Sequence, residues 1–200
     1  MQLGVSSRTA LFLLFASLLG SYINLPVAEI PNQVPVSGQV VEFFGMQYQV
    51  PQAVASSSTI IAVNVGGALI PVIVSFYLLN KYDLWLTGLA ATAVVAAICH
   101  SLSWLVPGVG IALPIFVPAL ATAIVAFIID RNHIGQLAYV AGSLGALIGT
   151  DLMNLDKIAG LGVPVASIGG AGTFDAIFVT SILAVLLGSI AASPRAAAKC

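Results

Sequence analysis

From Leu84 to Ile129 the chain carries no Asp, Glu, Lys or Arg at all. A second such run lies between Phe43 and Asn80, and a third follows Arg8, from Thr9 to Leu25. A bilayer span takes about 20 mainly apolar residues, so the central run has room for two spans and the others for one each. Composition points the same way. The 200 residues are 60% hydrophobic and 6% charged, with a mean hydropathy of +1.09. A soluble domain devotes about 25% of its residues to charge. Six basic and seven acidic side chains cannot cover a globule of this size. The lipid bilayer is therefore the expected partner.

Several function classes drop out at this stage. The net charge is −1 and no Lys/Arg cluster occurs, so a nucleic-acid partner is not expected. Cys99 lies in an apolar segment and Cys200 is the last residue, which is not a disulfide framework. No phosphate-binding loop, metal-ligand spacing or haem motif is present, so neither a metal nor a cofactor is expected.

Cutting the uncharged runs at their polar and Pro/Gly punctuation predicts an all-α fold. One integral membrane domain over 1–200 is expected, a polytopic bundle of about six transmembrane helices at 9–25, 53–79, 84–106, 111–129, 135–151 and 175–192. The cuts are Asn80-Lys81-Tyr82-Asp83, Pro107-Gly108-Val109-Gly110 and Asp130-Arg131-Asn132-His133. The first stretch reads as a retained helix rather than a cleaved leader, since no small-x-small site precedes Pro26. Two outer loops remain, 26–52 and 152–174. In the first, Val40–Val50 alternates enough for a short hairpin around Gly45. The second is uncharged from Ile158 to Phe174, glycine-rich and interrupted by Pro164. A re-entrant or protein-buried loop is expected there, because irregular backbone survives at membrane depth only under cover of protein or beside water. With six spans, Arg8, Lys81, Arg131, Arg195 and Lys199 fall on one side and only Lys157 on the other. Both termini of a multi-pass protein of the prokaryotic plasma membrane are then cytoplasmic.

Ionisable and amide side chains inside spans are the informative exceptions, costing about 2.5–3.5 kcal/mol at a helix centre when charged. Asp151 ends the fifth expected helix and Asp175 begins the sixth. Asn24, Asn64 and His100 fall toward the same outer side, as candidates for a polar pocket. Two carboxylates brought within about 5 Å cannot both ionise freely, so one becomes an acid and the other a base. Aspartyl proteolysis needs that pair; proton- or cation-linked transport needs coupled carboxylates equally. Gly142, Gly145 and Gly149 make a small-residue stripe for close helix approach. Asp151 lies about 200° beyond Gly149. It faces away from the stripe on a regular helix, unless the helix unwinds near Gly149.

Several strings resemble the domain-of-unknown-function family 1614 of prokaryotic membrane proteins. They are Gly20-Ser21-Tyr22-Ile23-Asn24-Leu25-Pro26, Val63-Asn64-Val65-Gly66-Gly67-Ala68, Pro107-Gly108-Val109-Gly110-Ile111, and Ile148–Leu155 through Gly169–Asp175. That likeness implies no activity. A shorter one does: Gly172-Thr173-Phe174-Asp175 resembles the Gly-x-hydrophobic-Asp motif of the GxGD-type intramembrane aspartyl proteases. It implies Asp151 and Asp175 as a catalytic dyad, with Gly149, Gly172, Thr173 and Phe174 supporting it and a membrane-embedded peptide as substrate. Beside this hydrolase reading stand a small transporter or channel for a proton or small cation, using the same carboxylates, and a non-catalytic scaffold, for which an oligomer is plausible.

Overall fold

A computed structural model describes residues 7–31, 40–43, 46–49, 58–106, 110–114, 116–160 and 163–170, with 182, 183 and 186. The fold is predominantly helical, but strands occupy places where only helix or loop was expected. Helix α1 spans Ser7–Gly20 and strand β1 Asn24–Pro31. A short hairpin of β2 (Val40–Phe43) and β3 (Met46–Gln49) follows, matching the alternation read around Gly45.

The largest correction falls on the second expected helix, 53–79. Its described first part is strand β4, Ser58–Asn64. The cause is local: Thr59, Ile60, Ile61 and Val63 are β-branched and prefer extended backbone. After Asn64 the chain makes a π turn at Val65–Leu69 and only then enters α2, Ile70–Tyr82. The first expected helix, 9–25, also ends early, because Asn24 onward pairs antiparallel with β4 in the register Asn24↔Asn64.

Helix α3 spans Trp85–Leu102 and closes into a second hairpin, β5 (Trp104–Val106) with β6 (Gly110–Ala112), around the Pro107 break. This shortens the expected helices 84–106 and 111–129, the latter being α4 at Phe116–Ile129. Helix α5 runs Ile134–Ala146 and is followed by a π turn at Leu147–Asp151 and a 3-10 segment at Leu152–Gly160. Strand β7, Val165–Ile168, then pairs parallel with β4, giving a three-stranded sheet in the order β1-β4-β7. Within the expected loop 152–174, the described residues are thus largely secondary structure. Of the sixth expected helix, 175–192, the described positions 182, 183 and 186 are helical.

Helix α5 is the axis of the bundle, with eleven of its residues buried. The expected glycine stripe works as expected against α3. A Cβ on Gly145 would lie 2.6 Å from Val95 Cγ1, and one on Gly149 only 2.2 Å from the Ala96 carbonyl oxygen. Gly88 lies beside Val140, and Asn154 Nδ2 donates to Ser103 Oγ, so α3 and α5 run in the same direction.

The two short turns meet at one end of the bundle, where the Tyr82 and His133 rings are 5.7 Å apart. Lys81, Asp83, Asp130 and Arg131 lie there, whereas Asp151, Asp156 and Lys157 lie at the other end. Between them the outward faces are apolar, with Leu86 84% and Ile128 70% exposed. Among the described residues, two helices are long and apolar enough to cross a membrane, Val65–Tyr82 and Trp85–Leu102. Leu11–Gly20 and Phe116–Ile129 are shorter apolar helices.

Candidate functional site

Asn64 is where strand gives way to helix, and its side chain manages the change. It is fully buried. Its Oδ1 accepts from the Gly67 amide at 2.8 Å, as an N-cap does for orphan donors of a first turn. Its Nδ2 donates to the Ser21 carbonyl at 2.7 Å and to Asn24 Oδ1 at 3.0 Å. These three bonds use both N–H donors and one lone pair of the oxygen, and they tie α1, β1 and the π turn together. Asn64, expected inside the helix 53–79, stands at the end of a strand. The adjoining Gly66 is required by crowding: a Cβ there would meet the Ser17 carbonyl oxygen at 2.0 Å.

Asn24 sits at the start of β1 rather than on the first helix. Its Oδ1 also accepts from Ser167 Oγ at 2.5 Å, so it ties β7 to β1 across the sheet. Ser167 was not singled out in the sequence, where a lone serine in a glycine-rich stretch carries no signal.

The turn that follows β7 has Gly169 and Gly170 at φ +91° and +70°. This left-handed backbone aims the Gly169 amide at Asp151, and the amide donates to Asp151 Oδ2 at 2.7 Å. Gly169 at the same time presses on the first π turn, where a Cβ would lie 2.6 Å from the Ala68 nitrogen. Asn24, Asn64 and Asp151 are thus joined through β7 and its glycine turn. The helix does leave regular geometry over Leu147–Asp151, and Asp151 is half-buried there.

His100 lies on α3, one residue after Cys99, whose Cβ faces Gly149. It is therefore level with Thr150 and Asp151 along the bundle. His100 Nδ1 and Thr150 Oγ1 are both buried without a hydrogen-bond partner, as are Ser75 Oγ in α2 and Thr92 Oγ1 in α3. Of the remaining expected site residues, Gly172, Thr173, Phe174 and Asp175 lie outside the described residues, so the dyad's separation is not part of this geometry. Among the described residues, no three His, Cys, Asp or Glu side chains converge to hold a metal ion.

A mostly helical chain with two membrane-length apolar helices and an acidic side chain at a helix break fits a membrane protein. The chain belongs to the family described as "Protein of unknown function (DUF1614)", whose model matches residues 18–187. No curated protein and no solved structure matches it.

Proposed function

We propose that this is a multi-pass protein of the prokaryotic plasma membrane, with about six spans and cytoplasmic termini, that couples solute or ion movement to binding of a proton or cation at Asp151. Three features support the membrane part. Charge is segregated to the two ends of the bundle, and the outward faces between them are apolar. The 18 residues of α3 extend about 27 Å at 1.5 Å per residue, close to the roughly 30 Å hydrocarbon thickness. Lys81 and Arg131 share the end that the Lys/Arg excess assigns to the cytoplasm.

The observation that carries the coupling part is the set of four buried, unpartnered polar atoms. His100 and Thr150 are level with Asp151, and Thr92 and Ser75 are near the middle of α3 and α2. Leaving a buried donor or acceptor unmatched costs about 1–3 kcal/mol, and native proteins hold few such groups. A hydrated or ligand-lined path descending from Asp151 would give all four their partners. Transporters often build their coupling-ion sites at discontinuous helices, and Asp151 stands at such a break.

The test is reconstitution into proteoliposomes holding a pH-sensitive dye. An imposed pH gradient is expected to decay faster with the wild-type protein than with Asp151→Asn or empty vesicles. Equal decay for wild type and D151N would overturn this reading.

One observation favours the aspartyl protease-like reading as a second. Gly169, bonded to Asp151, is six residues from Asp175, a reach of at most about 20 Å even fully extended. In that reading Asp151→Asn and Asp175→Asn each abolish the same cleavage products in a membrane peptidome. Unchanged products in either variant would end it.

A further inference from the structure

A helix that breaks inside a membrane bundle leaves carbonyl oxygens without intrahelical partners. Together with a nearby carboxylate, such oxygens are the usual ingredients of an alkali or alkaline-earth cation site. After α5 those ingredients are already taken. Asn154 Nδ2 donates to the Thr150 carbonyl at 2.8 Å and contacts the Gly149 carbonyl at 3.3 Å. These are oxygens of the broken turn itself.

The orientation of that amide is fixed. Lys157 Nζ donates to Asn154 Oδ1 at 2.8 Å, and an ammonium has no acceptor, so the oxygen must face it and the NH2 must face the carbonyls. The same contact places a unit positive charge one side chain away from the carbonyls a metal ion would use. Asp151 Oδ2 accepts from the Gly169 N–H, which leaves a cation only the second carboxylate oxygen free of that donor.

The opposite break, before α2, is closed as well. Asn64 Oδ1 receives the Gly67 amide, and Asn24 Oδ1 receives both Asn64 Nδ2 and Ser167 Oγ. Among the described residues, the side-chain oxygens of Asn24, Asn64 and Asn154 each accept at least one donor.

We propose that the ion coupled at Asp151 is a proton, and that Asn154, Lys157 and the Gly169 amide keep metal cations out. This rests on the reading of Asp151 as the coupling carboxylate. A proton needs no coordination shell. It adds to a lone pair of the second carboxylate oxygen, forming one O–H bond and neutralising the charge, while Gly169 keeps its bond to Oδ2. Release reverses the same step, with water as acceptor.

Among the described residues, the elements packed around this point carry few other titratable groups. His100 comes from α3, and Asp156 and Lys157 from the 3-10 segment. Cys99 packs against Gly149, and β1 brings Glu29, which accepts from Ser58 Oγ. The first π turn, β4 and β7 bring none. Asp175 lies outside the described residues.

The test is an infrared titration of the protein in liposomes, in a choline buffer and again with NaCl, KCl or CaCl2. Acidification is expected to raise a protonated-carboxyl stretch that is missing in Asp151→Asn. Its midpoint should move less than twofold in proton affinity with any of the salts. Asn154→Ala, which bares the Gly149 and Thr150 carbonyls, is expected to make the midpoint fall in NaCl. A tenfold loss of proton affinity in the wild type on adding Na+, K+ or Ca2+ would overturn the proposal, as would a band that persists in D151N. Failure of the coupling reading looks different: the band titrates unperturbed by salt while D151N leaves the decay of a pH gradient unchanged.

Discussion

The amide of Gly169 donates a 2.7 Å hydrogen bond to Asp151 while its Cα packs against Ala68. One glycine therefore holds together two breaks in helical geometry that are far apart in the chain. The Val65–Leu69 turn precedes α2, and the Leu147–Asp151 turn follows α5. Isolated π turns inside helices concentrate at functional sites. Here two of them converge on a third element, the turn after β7, and the carboxylate is at the junction.

Replacing Gly169 by Ala should disrupt that junction twice over. Its φ of +91° is a left-handed conformation that costs a side-chain-bearing residue about 1–3 kcal/mol. The new methyl would also press on the Ala68 nitrogen, which belongs to a capped turn that cannot move freely. Gly110 is the control, since its φ is +135° but nothing lies within 4 Å of its Cβ position. In detergent, Gly169→Ala is expected to melt several degrees below Gly110→Ala. Equal melting temperatures would show that the Ala68 contact carries no energy.

Asn64 offers a sharper contrast. Asn64→Ala leaves the Gly67 amide and Ser21 carbonyl buried without partners, at about 1–3 kcal/mol for each group. Asn64→Asp keeps the cap on Gly67 but removes both donors and buries a charge. Thermal unfolding should therefore rank wild type above N64A, and N64A above N64D. An aspartate variant as stable as the wild type would contradict the triple use of this amide.

Much of this arrangement was legible in the sequence, and the reasons for the rest are specific. Charge-free runs pointed to a mostly helical chain, and the Gly145/Gly149 spacing pointed to a close helix approach without naming α3 as the partner. Asp151 and the glycine stripe could not share one face of a regular helix, which left either protein on both faces or a break near Gly149, and the break is what occurs. The strands were not legible. Ser58–Asn64 is uncharged and apolar, and in lipid an apolar run satisfies its backbone as a helix unless a partner strand is present. β4's partners come from Asn24–Pro31 and Val165–Ile168, both distant in sequence. The polar residues were singled out by type and by their expected place toward one side of the bilayer. That Asn24, Asn64 and Asp151 are linked, and that Ser167 joins them, depends on that long-range pairing.

The turn between α4 and α5 gives a pH dependence at the opposite end of the bundle. Partial burial on its own would raise the Asp130 carboxyl. It is outweighed by the His133 ring, whose Nδ1 lies 2.8 Å from Oδ2, and by the Asn132 amide, so the group titrates below its ordinary value. A carboxyl depressed by folding contributes stability above its unfolded value, near 3.8, and loses it as pH falls through the lower folded value. The melting temperature of the wild type should exceed that of Asp130→Asn by a small, steady margin above pH 4, since exposed pairs contribute about 0.2–1 kcal/mol. The margin should vanish on further acidification. A margin that grows toward low pH would reverse the assignment.

The last prediction separates the two glycines facing α3. A methyl on Gly145 would meet Val95 Cγ1 at 2.6 Å, the tip of a side chain, whereas one on Gly149 would meet the Ala96 carbonyl oxygen at 2.2 Å. Side chains can be trimmed and backbone cannot. Gly145→Ala should therefore be destabilising by about 1–3 kcal/mol, as overpacking usually is, and Val95→Ala should recover part of that loss by making room. For Gly149→Ala the same second change should recover nothing, because its obstacle is the main chain of α3 at the level of Asp151. A double-mutant cycle on melting temperature reads this directly, with coupling expected between 145 and 95 and none between 149 and 95. Coupling of equal size at both positions would mean that α3 shifts as a rigid body when α5 grows a side chain, and that the close approach at Gly149 is not what fixes the break before Asp151.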